Sequence, residues 1–214
     1  KRRKDAGDLR RKEQAEIKKA NDEEIKTTTN RIAVLTSEYK NGYDAEKLLD
    51  SDYRASKEAE LKNIYDAEIA LIDKKKKYNQ LTIEEEKLAR FEANDRLLKA
   101  QQQLNADMNA ELVKKLDYEM SLQSITDKLK IVNAKLNEDE KYQISVDAIN
   151  KKYEDEKKKI ELTIADETDK NRKLELLNAQ HNLDIATADK VHQDAVNAQK
   201  LADEQSVLES KYAL

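Results

Sequence analysis

The stretch Leu122-Gln123-Ser124-Ile125-Thr126-Asp127-Lys128-Leu129-Lys130-Ile131-Val132-Asn133-Ala134-Lys135-Leu136 decides the fold class. Its aliphatics at 122, 125, 129, 132 and 136 are spaced 3-4-3-4, the interval at which one face of an α-helix recurs. A second run, Tyr142, Val146, Ile149, Tyr153 and Ile160, keeps its own 4-3-4-7 spacing. With Leu122 at heptad position a, Leu136 is also a, and the next a is Val146, ten residues on instead of seven. That slip of three falls on Asn137, which has Glu140 three residues later in capping-box order and so predicts a helix break. Further on, the frame of the second run passes through Leu174, Leu177 and His181 to Ala188, Val191, Ala195, Ala198 and Ala202. Small seam residues bury little area each, so the Ala-rich end makes the weaker coil. Glu156, Thr163, Glu167 and Lys170 weaken the seam before it.

Composition extends this reading to the whole chain. Among 214 residues there is no proline, only Gly7 and Gly42 are glycine, and 40% are charged. Turns draw on Gly and Pro, so the backbone has few places to reverse. The expected fold is all-α, made of long extended helices or coiled coil with little or no globular core. Forty-one basic against 45 acidic residues give a net charge of -4, too balanced for general nucleic-acid affinity. No cysteine is present, which excludes disulfides and thiolate metal sites. The longest apolar runs, Ile32-Ala33-Val34-Leu35 and Ile69-Ala70-Leu71-Ile72, fall far short of the roughly 20 residues of a membrane span. A start at Lys1 instead of Met points to a segment of a longer or processed protein.

Four places read as helix ends. Asn41-Gly42 is expected to turn through left-handed conformations, with Asp44 capping the next helix and Glu46 in its first turn. Thr82 and Glu85 form a capping-box pattern after Asn79-Gln80-Leu81, Asn137 and Glu140 another, and Asp166 to Asp169 a weaker signal. The expected organisation is a basic-led helix over 1–40, a long helical segment over 44–136 with a break near 79–82, and a helical segment over 138–214 with an Ala-rich seam. Acid-to-base pairs at i,i+4, such as Asp73/Lys77, Glu111/Lys115, Glu154/Lys158 and Asp155/Lys159, keep the outer faces soluble.

Catalytic chemistry finds no foothold in these residues, and neither catalytic, cofactor-binding nor metal-ligating residues are predicted. The histidines His181 and His192 lie eleven apart on one helical face, without an HExxH pattern, and read as one seam histidine and one beside it. Two isolated glycines make no phosphate-cradling loop, and solvated carboxylates on a helix have no pocket to separate their pKa values. Of the basic runs, Lys74–Lys77 and Lys157–Lys159 read as solvated helix surface. The N-terminal cluster, Lys1-Arg2-Arg3-Lys4 with Arg10-Arg11-Lys12, is denser and keeps a nucleic-acid contact open. The nine tyrosines suit amphipathic seam filling better than base stacking.

The stretches Ala148–Ile160 and Ser51–Leu61, both carrying Tyr-x-x-x-Lys (Tyr53/Lys57 and Tyr153/Lys157), resemble the Lys/Glu/Ala/Tyr-rich helical regions of phage tail tape measure proteins. The resemblance implies an extended helix in the tail-tube lumen whose length sets tube length, with tail-tube or other structural proteins as partners and the virion as location. Without it, the cytoplasm is the default. That family's long hydrophobic segments are absent here. On this reading the chain is a structural rod that self-associates through Leu122, Ile125, Leu129, Val132, Leu136, Val146, Ile149, Tyr153, Ile160, Leu174 and Leu177. Leu at a with Ile or Val at d favours a trimer. An antiparallel interaction arm folded back at Asn41-Gly42 or Asn137 is the alternative, and a nucleic-acid-contacting N-terminal helix the third reading.

Overall fold

The computed structural model describes residues 2–133 and 136–212, with side chains from Leu9 onward except that of Asn133. Lys1 and the side chains of Arg2, Arg3 and Lys4, four of the seven residues of the N-terminal basic cluster, lie outside the described residues. The protein is all-α, and among the described residues there is no strand. Among these residues five α-helices occur in order: α1 (Arg2–Asn41), α2 (Ser51–Lys77), α3 (Ile83–Asn133), α4 (Glu138–Thr163) and α5 (Glu167–Tyr212), with a short 3-10 turn at Ala45–Leu49 between α1 and α2. None is long and apolar enough to cross a membrane.

The starts of α3, α4 and α5 fall where the sequence offers a cap. Before α3, Thr82 and Glu85 bond reciprocally: the Glu85 amide donates to Thr82 Oγ1 at 3.2 Å and the Thr82 amide to Glu85 Oε2 at 2.8 Å. Asn137 and Glu140 do the same before α4, both at 2.9 Å. Asp166 accepts the Asp169 amide at 2.9 Å as α5 begins. Each satisfies donors that a helix start leaves orphaned.

The first break differs in detail from expectation. Asp44 caps only the 3-10 turn, and α2 is capped by Asp50, whose carboxylate accepts from the amides of Asp52 and Tyr53. Gly42 does not adopt a positive φ; the left-handed residue is Asn79, at φ 55°. There the Asn79 amide donates to the Lys76 carbonyl at 3.0 Å and the Gln80 amide to the Lys75 carbonyl at 2.8 Å. This is the paired-bond Schellman ending of α2, with Asn in the place usually held by Gly. Gly42 is small for another reason: a Cβ there would sit 3.0 Å from Lys57 Nζ and 3.2 Å from the Glu38 carbonyl.

By internal contacts the chain forms two compact units, Lys1–Glu111 and Leu112–Leu214, with the division inside α3. In the first, α2 folds back along α1. Gln80 meets Asp22, Tyr78 meets Glu24 and Lys74 meets Thr28, so the paired numbers sum to a constant 102, the mark of antiparallel helices. The early part of α3 folds back along α2 in turn, with Lys76 on Glu86, Arg90 on Asp73 and Arg96 on Glu68. Asp73 thus pairs across helices with Arg90, not along its own helix. The small core is Leu48 (1% exposed), Leu61 and Leu104 (2%), flanked by Tyr39, Tyr43, Tyr53, Leu97, Ala100 and Met108. In the second unit, α4 and α5 form an antiparallel hairpin, and the later part of α3 meets α4 through Lys159 to Asp117 and Lys151 to Gln123.

Candidate helix-pairing surfaces

Helix pairing is the chemistry this chain displays, and three places carry it. The first is the seam between α4 and α5. Tyr142 stacks on His192 and Tyr153 packs on His181, each with ring centroids 4.6 Å apart. His192 Nε2 lies 3.2 Å from an Asp139 carboxylate oxygen, and His181 Nε2 is 2.8 Å from Asn150 Oδ1. In return the Tyr142 hydroxyl donates to Asp189, and the Tyr153 hydroxyl to Asn178 at 2.5 Å. Both rungs therefore have one plan. An Asx three residues before the tyrosine holds the histidine, and an Asx three residues before the histidine holds the tyrosine. Asp139/Asn150, Tyr142/Tyr153, Asn178/Asp189 and His181/His192 are each eleven apart, about three helical turns, so each helix presents its set on one line.

The sequence signalled the histidine spacing and set Tyr142 and Tyr153 in one seam. The matching Asx spacings sat among many other acids and amides, and nothing marked them until the two helices lay side by side. The expected seam frame also shifts: Val191 is exposed and His192, one residue on, takes the inward place. An eleven-residue period drifts one residue from a heptad frame over this length.

The second place is the elbow of the first unit. The Tyr53 hydroxyl donates to the Gly42 carbonyl and accepts from the Asp44 amide, each at 2.6 Å, clamping the chain reversal. Tyr43 donates to Asp107 on α3. Between these rings lies Lys57, 4% exposed, its ammonium 5.6 Å from the Tyr39 ring centre and 5.5 Å from that of Tyr53, with Glu60 at 2.8 Å. A desolvated ammonium needs such company: two ring faces and a carboxylate replace its water. Burial, then the bond to Asp107, pushes the Tyr43 phenol far above its ordinary value of 10.0.

Comparison with protein-family models, with curated proteins and with solved structures finds no match. The candidate site thus rests on geometry alone.

The third place is α3. Asp127 is buried and Ile131 lines the side toward α4, where Ile125, Ile131, Ile144, Ala148 and Ile149 border an open groove of about 680 Å³. At 100° per residue, Leu122 and Leu129 lie roughly opposite Asp127. Leu122 is 53% exposed and Val132 78%, and Tyr118, Ile125 and Leu129 are exposed as well.

The expected seam residues thus separate into two sets. Val146, Ile149, Tyr153 and Ile160 on α4, with Leu174 and Leu177 on α5, are half-buried on the two faces that meet within one chain. Leu122, Ile125, Leu129 and Val132 face solvent, and Leu136 sits half-buried in the connector before α4. The lysine runs find partners inside the chain. Lys74 pairs with Glu24 at 3.0 Å, Lys76 with Glu86 at 3.2 Å, and Lys77 lies over Tyr78. Lys158 reaches Asp155, and Lys159 reaches Glu156 at 2.9 Å and Asp117.

Proposed function

We propose that this chain is a non-enzymatic structural module that works by pairing helices. Antiparallel hairpins hold the chain folded back on itself, and the helix faces they leave uncovered engage other helices of an assembly. The observation that supports this reading is the repeated Asx/Tyr/His rung of α4 and α5, both sides of which belong to one chain. A parallel rod would place the same residues between chains. Ser145 and Ala188 border one groove between α4 and α5, so the variant Ser145→Cys/Ala188→Cys tests the reading in a chain with no other cysteine. A disulfide formed within the monomer at high dilution supports the folded-back arm. Crosslinks that appear only between chains return the molecule to the rod.

A second reading, the spacer of a tape measure protein, has one feature in its favour. Helix α3 runs 51 residues without a break, about 75 Å at the α-helical rise. In that role the partners are tail-tube proteins and the location is the virion. Its test is deletion of whole turns from α3 in the assembled particle: a spacer shortens the tail by about 1.5 Å per residue removed. An unchanged tail length removes this reading and leaves the interaction arm.

A further inference from the structure

We propose that Tyr118, Leu122, Ile125, Leu129 and Val132 form a second seam, between copies of this chain, in which three or four α3 helices lie parallel and in register. The proposal rests on the helix-pairing function above and names the partner for one of its uncovered faces. These five positions are spaced 4-3-4-3, alternating d and a of a heptad. All are exposed; Tyr118, Leu122, Leu129 and Val132 lie on the side of α3 turned away from the buried Asp127, and Ile125 stands at the rim of the groove toward α4. A helix already covered on one face by its own chain has no internal use for a second apolar line at coiled-coil spacing. A monomer's solvent face is ordinarily charged.

Flanking charges select the orientation. In parallel pairing a g residue faces the e residue five positions on in its neighbour, which sets Lys114 toward Glu119 and Ser121 toward Thr126. An antiparallel pairing that covers the same stripe sets Leu122 against Val132 and Ile125 against Leu129. It also brings Lys128 beside its own symmetry mate, a like-charge contact at the two-fold axis. Glu119 remains partly engaged by Lys115 at 4.0 Å in the single chain, a separation loose enough to yield to a better partner.

Area selects the strand number. Five half-exposed side chains from each of two helices bury on the order of 1,000 Å² in total, at the weak end of specific interfaces. A third or fourth strand gives every helix a second neighbour on the same stripe. Leu at a with Ile or Val at d favours those states over a dimer.

Sedimentation equilibrium on the full chain, carried to about 100 µM because the interface is small, tests the proposal. Reversible growth from 24.7 kDa to three or four times that mass is the expected result. The variant Leu122→Glu/Leu129→Glu keeps its helical circular dichroism, because both residues are exposed, and stays monomeric with affinity lowered at least about tenfold. With no native cysteine, Val132→Cys alone crosslinks to itself in a parallel bundle. Crosslinks that need a mixture of Leu122→Cys and Val132→Cys chains mean antiparallel pairing and overturn the proposal. So does a monomer at every concentration, a doubled mass, or an assembly that survives the double glutamate variant. The intrachain Ser145→Cys/Ala188→Cys disulfide reports on the folded-back arm separately, so loss of this seam is distinguishable from loss of the hairpin.

Discussion

Gly42 shows how the smallest side chain is imposed by its surroundings. Its φ is one any residue adopts, so the constraint is space: a Cβ would crowd Lys57 Nζ and the Glu38 carbonyl. Gly42→Ala is expected to cost about 1–2 kcal/mol, the range of mild overpacking. Chemical denaturation measures it, and a double-mutant cycle with Lys57→Met locates the strain, since the shorter methionine removes the ammonium nearest the added methyl. At Asn79 the constraint is conformation, a left-handed φ of 55°. Asn79→Gly is expected to stabilise by a few tenths of a kcal/mol, and Asn79→Val to destabilise by about 1 kcal/mol or more, because a β-branched residue resists φ 55°. Thermal melts of the two variants against the parent decide it, and equal melting temperatures would dismiss the left-handed account. Sequence alone directs attention to Asn41-Gly42 for the left-handed turn. The space at Gly42 is filled by a lysine from the next helix, and that is a contact across fifteen residues.

At the scale of elements, the helix ends were legible because capping is local chemistry. Thr82 with Glu85, Asn137 with Glu140, and Asp166 three before Asp169 each need only four consecutive residues to be recognised. Asn137→Ala and Thr82→Ala are each expected to cost about 1 kcal/mol. The two sites lie in different units and share no partner, so the double variant is expected to lose the sum, as urea titrations of the three proteins would show. What the sequence did not reveal is which helix meets which. The 3-4 spacing marks a face for burial but carries no sign for a partner in the same chain or another. Val146 and Leu122 look alike as heptad positions, yet one is half-buried and the other is exposed. The three-residue slip at Asn137 was the only hint that the two runs serve different faces.

For the molecule as a whole, titration sets the limits of stability. Hydrogen bonds from Tyr78 and Lys74 hold Glu24 below the ordinary carboxylate value of 4.5; the Thr82 amide and hydroxyl do so for Glu85, and Lys76 with Arg90 for Glu86. The folded state therefore binds fewer protons than the unfolded one as pH falls past 4.5, and stability present above that value is lost below it. The phenols have the opposite sign. Burial raises Tyr39 and Tyr43 above 10.0, and bonds to Glu24 and Asp189 raise Tyr78 and Tyr142. Their contribution is complete below pH 10 and declines as pH rises beyond it. Urea midpoints across the pH range are expected to form a plateau that falls at both ends. Tyr43→Phe is expected to lower the plateau by about 1 kcal/mol and make its alkaline edge shallower; an unchanged edge would show that Tyr43 ionises freely. The paired rungs of α4 and α5 carry one more consequence. Because their parts repeat at the same eleven-residue interval, the two helices behave as a vernier scale. If α5 slides by eleven residues, about 16 Å, Tyr153 comes to His192 and Asn150 takes the place of Asp139. One rung is rebuilt and the other is lost, and the three-residue connector 164–166 reaches at most about 14 Å, so the eleven-residue interval locks this hairpin into the one setting that makes both rungs.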